Sequence, residues 1–170
     1  MRVKHFDDVA IEEYPLAKEL NDEIIYQLRN VSDYGHTNVK AFHTGWDWQP
    51  DNPIFRKFKE HIVYRTETLY RPGQRFDSWQ PTTMTNFWAN LYSKGDYAQS
   101  HSHKPFLYSF AYFANAKWYD SPLVFDDSGV KVRPKEGRYV IFPGHLKHSV
   151  PKHRYSHPRI TLSGNMALLK

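Results

Sequence analysis

The chain has 170 residues, no cysteine and a formal net charge of +5 at pH 7. This length is enough for one domain with a substantial core, and the lack of thiols excludes disulfides and thiolate metal ligands. Basic residues are scattered, so nucleic acid is a permitted partner but not a favoured one. No apolar run could span a membrane, and the N-terminal segment is too acidic for a signal peptide. We therefore expect a cytoplasmic protein with no membrane partner.

The first half of the chain predicts two helices. Leucine and isoleucine recur at four-residue steps between residues 15 and 30, which is helical spacing. Asn52-Pro53 supplies a helix cap followed by proline at the first helical position. The second helix should end near Tyr70, before the breaker Arg71-Pro72-Gly73.

From about residue 82 the sequence predicts β structure. Short apolar and β-branched runs are separated by turns rich in glycine, proline and aspartate. We expect strands over residues 85–92, 106–113, 123–125, 138–142 and 159–166, with a shorter one at 130–132. Helices followed by many short strands predict an α+β domain. It would span residues 1–170, with a jelly-roll core at 82–168 and the helices and loops of residues 1–80 packed on one sheet.

The motif His101-x-His103 is the first sign of chemistry. Two histidines one residue apart on a strand point the same way, and a third from a distant strand would complete a facial metal site. Four candidates for that third histidine follow: His145, His148, His153 and His157. We favour His148 because it comes after the apolar run 139–143, where a turn can aim a side chain into the mouth of a barrel. His145, on the same turn, is the main rival.

Arg159 opens the last predicted strand and is a candidate anchor for an acidic cosubstrate. Strand alternation places Arg159, Thr161 and Ser163 on one face. A dicarboxylic keto acid bound to iron at one end needs a bidentate cation at the other, and arginine suits this better than lysine. Taken alone, an arginine at the start of a strand would be an ordinary surface residue.

Six short motifs follow one another in the second half of the chain. They are Trp88-x-Asn90, Gly95-Asp96, His101-x-His103, Phe142-Pro143, His148-Ser149-Val150-Pro151 and Arg159-Ile160-Thr161-Leu162-Ser163-Gly164-Asn165. Together they resemble a group of small 2-oxoglutarate (2OG)/Fe(II) oxygenases common in phages and marine bacteria. That group belongs to the superfamily with a prolyl 4-hydroxylase-like and AlkB-like double-stranded β-helix. The likeness covers about residues 85–166, half of the chain.

The resemblance implies that His101 and His148 bind Fe(II) and that Arg159 binds 2OG, with O2 as the second cosubstrate. Further cosubstrate contacts would come from Asn90, Tyr92, Thr161 and Ser163. His103 stands where most of the superfamily has aspartate or glutamate. The site would then have three neutral imidazoles, which also suit zinc, copper or nickel. Alternatively, His103 does not bind, and water or chloride takes its position as in halogenases of the superfamily.

The leading hypothesis is a hydroxylase that releases succinate and CO2 and acts on an unidentified small molecule or peptide. The candidate substrate-pocket residues are Phe87, Tyr108, Phe110, Tyr112, Trp118 and Asn165. The aromatic loop between the helices is a candidate lid, through His43, Trp46 and Trp48.

Three alternatives remain open. A nucleic-acid dealkylating oxygenase of the AlkB type would carry a second arginine six residues after Arg159, where this chain has Asn165. A cupin-like dioxygenase would use the three histidines without a keto acid. A non-catalytic jelly-roll binding module would use the aromatic residues as a platform. The sequence leaves the oligomeric state open.

Overall fold

A computed structural model describes residues 8–35, 37–70 and 81–169. Within these ranges the chain forms two helices, α1 (Ala17–Leu28) and α2 (Pro53–Tyr70). The strands are β1 (Ala10–Glu13), β2 (Val39–Lys40), β3 (Phe42–His43), β4 (Thr82–Tyr92), β5 (Tyr97–His101), β6 (Tyr108–Asn115), β7 (Leu123–Phe125), β8 (Lys131–Val132), β9 (Arg138–Pro143), β10 (His148–Val150) and β11 (Arg159–Leu168).

Both helices lie where the sequence predicted them. The second begins at Pro53, and the Asn52 side-chain oxygen accepts a hydrogen bond from the Ile54 N–H at 2.9 Å, as a helix cap should. The breaker at residues 71–73 lies outside the described residues. Neither helix of the described ranges is long and apolar enough to cross a membrane.

The strands form two antiparallel sheets. The six-stranded sheet has the order β1-β9-β6-β11-β4-β3, and the five-stranded sheet has the order β2-β5-β10-β7-β8. Residues of both sheets share one buried apolar cluster, which includes Tyr92 and Phe113 from the larger sheet and Ala98 and Val150 from the smaller one. The two sheets therefore face each other across a core, which confirms the predicted α+β jelly roll.

The six-stranded sheet has two different faces because side chains alternate along each strand. On one face, Phe110 and Tyr112 of β6 pack against Phe58 of α2, at ring distances of 5.7 and 4.9 Å. On the other face, Phe113 points between the sheets. We call these the helix face and the cavity face. Residue parity on β4, β6 and β11 decides which side chains can reach a site between the sheets.

Candidate metal centre

The three predicted metal ligands lie close together where β5 pairs with β10 in the five-stranded sheet. His101 and His148 are direct cross-strand partners. His103 lies two residues beyond the end of β5, and its ring is 5.0 Å from the His148 ring. Ligand nitrogens of all three histidines lie within 4.8 Å of one another. The structure therefore brings together the His-x-His pair and the favoured distal histidine.

The backbone holds these three side chains in place. The His101 Nδ1 lies 2.7 Å from the Gln99 carbonyl oxygen, and the His148 Nδ1 lies 3.0 Å from that of Leu146. Because a carbonyl only accepts, each Nδ1 carries the proton and each Nε2 keeps a lone pair. The His103 backbone N–H donates to the Gly144 carbonyl at 2.7 Å. Gly144 itself has no room for a side chain, since a Cβ there would collide with the Phe106 carbonyl.

All three imidazoles are held neutral by their surroundings. Burial, together with the neighbouring His148 and His101, lowers the pKa of His103 to about 2. Burial, together with His101, lowers the pKa of His148 to about 4. The pKa of His101 is also lowered by burial. At pH 7 the cluster therefore offers lone pairs rather than protons, as metal binding requires.

The spacing of the nitrogens fits one metal ion. The Nε2 atoms of His103 and His148 are 3.2 Å apart. Two imidazole nitrogens bound at about 2.1 Å and at right angles would be about 3 Å apart. The donor set also suits first-row divalent metals, which favour imidazole. The three histidines therefore fit a divalent ion with open positions on one side.

His145, the rival candidate, takes no part in this cluster. It is exposed to solvent on the turn before β10. His153 and His157 belong to a separate cluster with Asp120.

Arg159 is buried on the cavity face of β11, at 1% exposure. Its guanidinium carbon lies 4.8 Å from the centre of the Tyr92 ring and 5.3 Å from that of Phe113. Its Nε and Nη1 atoms have no hydrogen-bond partner among the described residues. Burial lowers the pKa of Arg159, yet an arginine stays charged. A buried cation with unpaired donors is costly, so this position fits a bound anion.

A cavity joins Arg159 to the histidine cluster. The atom-free space between the two sheets here is about 440 Å³, and part of it is open to solvent. Asn90 pairs with Thr161 across β4 and β11, and the side-chain oxygen of Asn90 is buried and has no partner in residues 8–35, 37–70 and 81–169. Every predicted ligand and cosubstrate residue lines this cavity: His101, His103, His148, Asn90, Tyr92, Arg159, Thr161 and Ser163.

Most of the predicted substrate-pocket residues lie outside this cavity. Phe87, Tyr108 and Tyr112 lie on the helix face, where they pack against the two helices and their neighbours. They point away from the cavity because their residue parity is opposite to that of Asn90 and Ser109. Trp118 is 69% exposed and contacts Tyr119.

The two remaining pocket candidates lie close to the cavity. Phe110 packs on Phe58 from the helix face but also borders the cavity. Asn165 is on the cavity face of β11, where its amide accepts from the Ser109 hydroxyl at 2.8 Å and donates to Asn86 at 3.2 Å. Its polar atoms are therefore already engaged with the protein.

The aromatic loop is not a lid. His43 is fully buried in β3, and its Nδ1 accepts the Gly45 backbone N–H at 2.8 Å. Burial lowers the pKa of His43 to about 4. Trp46 packs against the His43 and Trp88 rings, and Trp48 packs on the helix face against Phe55 and Phe87. The segment is a packed edge of the six-stranded sheet.

Two aromatic residues that the pocket prediction omitted lie beside the histidines. The Trp88 ring is 5.8 Å from that of His103, and the Phe142 ring is 4.8 Å from that of His148. Trp88 has the same parity as Asn90 on β4, so the strand alternation could have identified it.

Comparisons with known proteins agree with this architecture. No family model and no curated protein sequence matches the chain. Among solved structures, a collagen prolyl hydroxylase of Paramecium Bursaria Chlorella virus-1, complexed with 2OG, is similar with a TM-score of 0.71 and 12% identity, covering 95% of this chain and 96% of that one. A Pseudomonas putida prolyl-4-hydroxylase has a TM-score of 0.72 and 16% identity, covering 95% and 92%.

A third similar structure is that of an epimerase rather than a hydroxylase. The alpha-ketoglutarate-dependent epimerase SnoN of nogalamycin biosynthesis has a TM-score of 0.72 and 13% identity, covering 94% of this chain and 77% of that one. At such identities the similarity establishes the fold. The chain therefore shares the fold of these structures, a double-stranded β-helix, as the sequence predicted.

Proposed function

We propose that this protein is an Fe(II)- and 2OG-dependent dioxygenase that hydroxylates a small molecule or peptide and releases succinate and CO2. One observation carries the proposal. A buried arginine, whose Nε and Nη1 atoms are unpaired among the residues that the structure describes, lines the same cavity as three neutral imidazoles. A dicarboxylic keto acid is the ligand class that would use both, since one end chelates a metal and the other needs a cation.

The metal would be held by His101, His103 and His148. When bound, iron would supply the chemistry that chelates the keto acid and activates O2. The three imidazoles carry no charge, so a dianionic cosubstrate would balance a divalent ion without a protein carboxylate. The Gln99 and Leu146 carbonyls would fix the ring orientations of His101 and His148.

The distal carboxylate of 2OG would lie against Arg159. The Tyr92 and Phe113 rings hold the guanidinium in place and exclude water around it. In this dry setting a paired N–H contact to a carboxylate is much stronger than in water. Asn90 and Thr161, which are buried and paired across the sheet, are placed to add hydrogen bonds.

Trp88 and Phe142 would form the apolar wall beside the metal. Both are buried and both line the cavity. Their role would be to limit water at the reacting end of the cosubstrate.

The test is succinate formation from 2OG by the purified protein with Fe(II), ascorbate and O2, together with 2OG binding. Arg159→Ala should weaken 2OG binding by about 100-fold or more while leaving metal binding intact. Arg56→Ala, at an exposed position on α2, is the matched control.

The result also separates two of the three alternatives. A cupin-like dioxygenase would bind metal but show no dependence on Arg159 or 2OG. A non-catalytic binding module would bind no stoichiometric metal. Failure of wild-type protein to bind 2OG in the presence of metal would overturn the proposal.

A further inference from the structure

A second group of metal-binding side chains lies outside the cavity. Asp120 follows β6, whereas His153 and His157 belong to the segment between β10 and β11. Asp120 and His153 are each 1% exposed, and His157 is partly exposed. Ligand atoms of the three residues lie within 4.8 Å of one another. Unlike the first cluster, this one contains two imidazoles and a carboxylate.

The hydrogen bonds of this cluster leave one buried nitrogen without a partner. The His157 Nε2–H donates to Asp120 Oδ1 at 2.8 Å, and the Lys117 backbone N–H donates to Asp120 Oδ2 at 2.8 Å. The His153 Nε2–H donates to the His157 carbonyl at 2.7 Å. The His153 Nδ1 is buried and unpaired among the described residues.

That unpaired nitrogen has the character of a metal ligand. A neutral imidazole carries one proton, and the carbonyl contact places it on Nε2, so Nδ1 of His153 carries the lone pair. A buried acceptor without a donor destabilises the protein unless a ligand satisfies it. Metal-bound histidines typically donate their other ring N–H to a carbonyl or carboxylate, and His153 already does so.

We infer that Asp120, His153 and His157 bind a second divalent metal ion, of the zinc type. Two imidazole nitrogens and one carboxylate oxygen form a donor set that zinc accepts with a water in the fourth position. Ligand atoms on a tetrahedral ion are about 3.4 Å apart, so Asp120 and His157 would separate by about half an ångström. Binding displaces the proton that His157 shares with Asp120, and the partly exposed side of His157 admits the water.

The position of the site indicates a structural role. His153 exchanges backbone hydrogen bonds with the turn after β4, through Gly95 and Asp96, at 2.7 Å each. The same segment runs into Arg159 at the start of β11. A metal ion held by Asp120 and both histidines links the segment before β7 to the segment that positions Arg159. The site does not border the cavity, so its ion is separate from the one held by the first cluster.

The test counts zinc in protein that has been stripped with chelator, reloaded with Zn²⁺ and desalted. Wild type should retain two equivalents per chain. Asp120→Asn and His153→Ala should each retain one, and His145→Ala, at an exposed histidine, should retain two. Far-UV circular dichroism checks that each variant is folded. His157→Ala should disturb the fold least of the three ligand replacements, because His157 is partly exposed, and it should also retain one equivalent.

A second measurement isolates the new site from the first. The His101→Ala/His148→Ala variant lacks two ligands of the cavity cluster and should still bind one Zn²⁺, with a rise in melting temperature that the added Asp120→Asn change removes. The inference would be overturned if wild type retained one equivalent of zinc, if His101→Ala/His148→Ala lost it, and if Asp120→Asn and His157→Ala both kept it. This readout does not depend on succinate formation, so it stands or fails separately from the dioxygenase proposal.

Discussion

One arginine lies at each face of the six-stranded sheet, the partly buried Arg65 of α2 and the buried Arg159 of β11, and the two differ in their partners. On the helix face, Arg65 donates two hydrogen bonds to Glu12, at 2.8 and 2.6 Å, and Tyr139 donates a third to the same carboxylate. On the cavity face, the Nε and Nη1 atoms of Arg159 have no partner within the described part of the chain. The helix face therefore satisfies its arginine with a carboxylate, whereas the cavity face has an arginine with donors still available to a ligand. This contrast supports the cavity face as the candidate functional side of the sheet.

The largest effect should come from making the same substitution on both faces. Arg159→Met should abolish 2OG binding and turnover while leaving the free energy of unfolding unchanged or raised by about 1–2 kcal/mol, because it removes a buried charge that is only partly satisfied by the described residues. Arg65→Met should leave 2OG binding intact but lower the free energy of unfolding by about 3 kcal/mol, because Glu12 loses its partner. Isothermal titration and urea denaturation measure the two quantities. Similar losses of stability in both variants would remove the contrast.

The next effect concerns the third imidazole of the cavity cluster. His103→Ala should weaken Fe(II) binding on the order of 100-fold, since even outer contacts of metal ligands are worth about 10–100-fold. His103→Asp should retain iron binding, because a carboxylate with two imidazoles is a common iron donor set. Metal titration under anaerobic conditions measures both. Unchanged affinity in His103→Ala would show that water or another ligand takes the third position.

The ion pair between Glu12 and Arg65 on the helix face predicts that the stability of the protein depends on pH. Burial alone would raise the pKa of Glu12, but hydrogen bonds from Arg65 and Tyr139 outweigh it and lower that pKa below its usual value. The stabilisation is therefore present above the ordinary glutamate range and is lost as the pH falls through the lowered pKa. Unfolding free energies measured between pH 7 and pH 3 should fall more steeply for wild type than for Glu12→Gln. Parallel curves would contradict this origin.

The smallest effect is expected at a position the sequence had placed in the pocket. Trp118→Ala should change the free energy of unfolding by no more than about 0.5 kcal/mol, because this side chain is mostly exposed. It should also leave 2OG binding unchanged, since Trp118 does not line the cavity. Trp88→Ala, the matched change inside the cavity, should lower both stability and activity. Equal effects of the two changes would place Trp118 at the site after all.

The fold was predictable from the sequence wherever a single element carries its own signal. The helix cap at Asn52 and the long runs that became β4, β6 and β11 could be located from spacing and turn residues. The two-residue strands β2 and β3 could not, because they are too short to show alternation and exist only through pairing with β5 and β4.

The metal ligands and the cosubstrate residues could be predicted where short sequence motifs contain them. The face shared by Arg159, Thr161 and Ser163 needed only strand alternation. The His101-x-His103 motif was recognisable from its spacing, although His103 lies beyond the end of β5. Phe87 and Tyr112 were assigned to the pocket without following alternation along β4 and β6, and the structure places both on the helix face. The Asp120 cluster was missed because its members come from two irregular segments that only the fold brings together.

A crystal structure obtained anaerobically with Fe(II) and 2OG tests the central claim most directly. We predict one iron bonded to the Nε2 atoms of His101, His103 and His148, with the distal carboxylate of 2OG hydrogen-bonded to the Nε and Nη1 atoms of Arg159. A 2OG molecule bound elsewhere, or an Arg159 guanidinium that stays unpaired while iron and 2OG are bound, would contradict it.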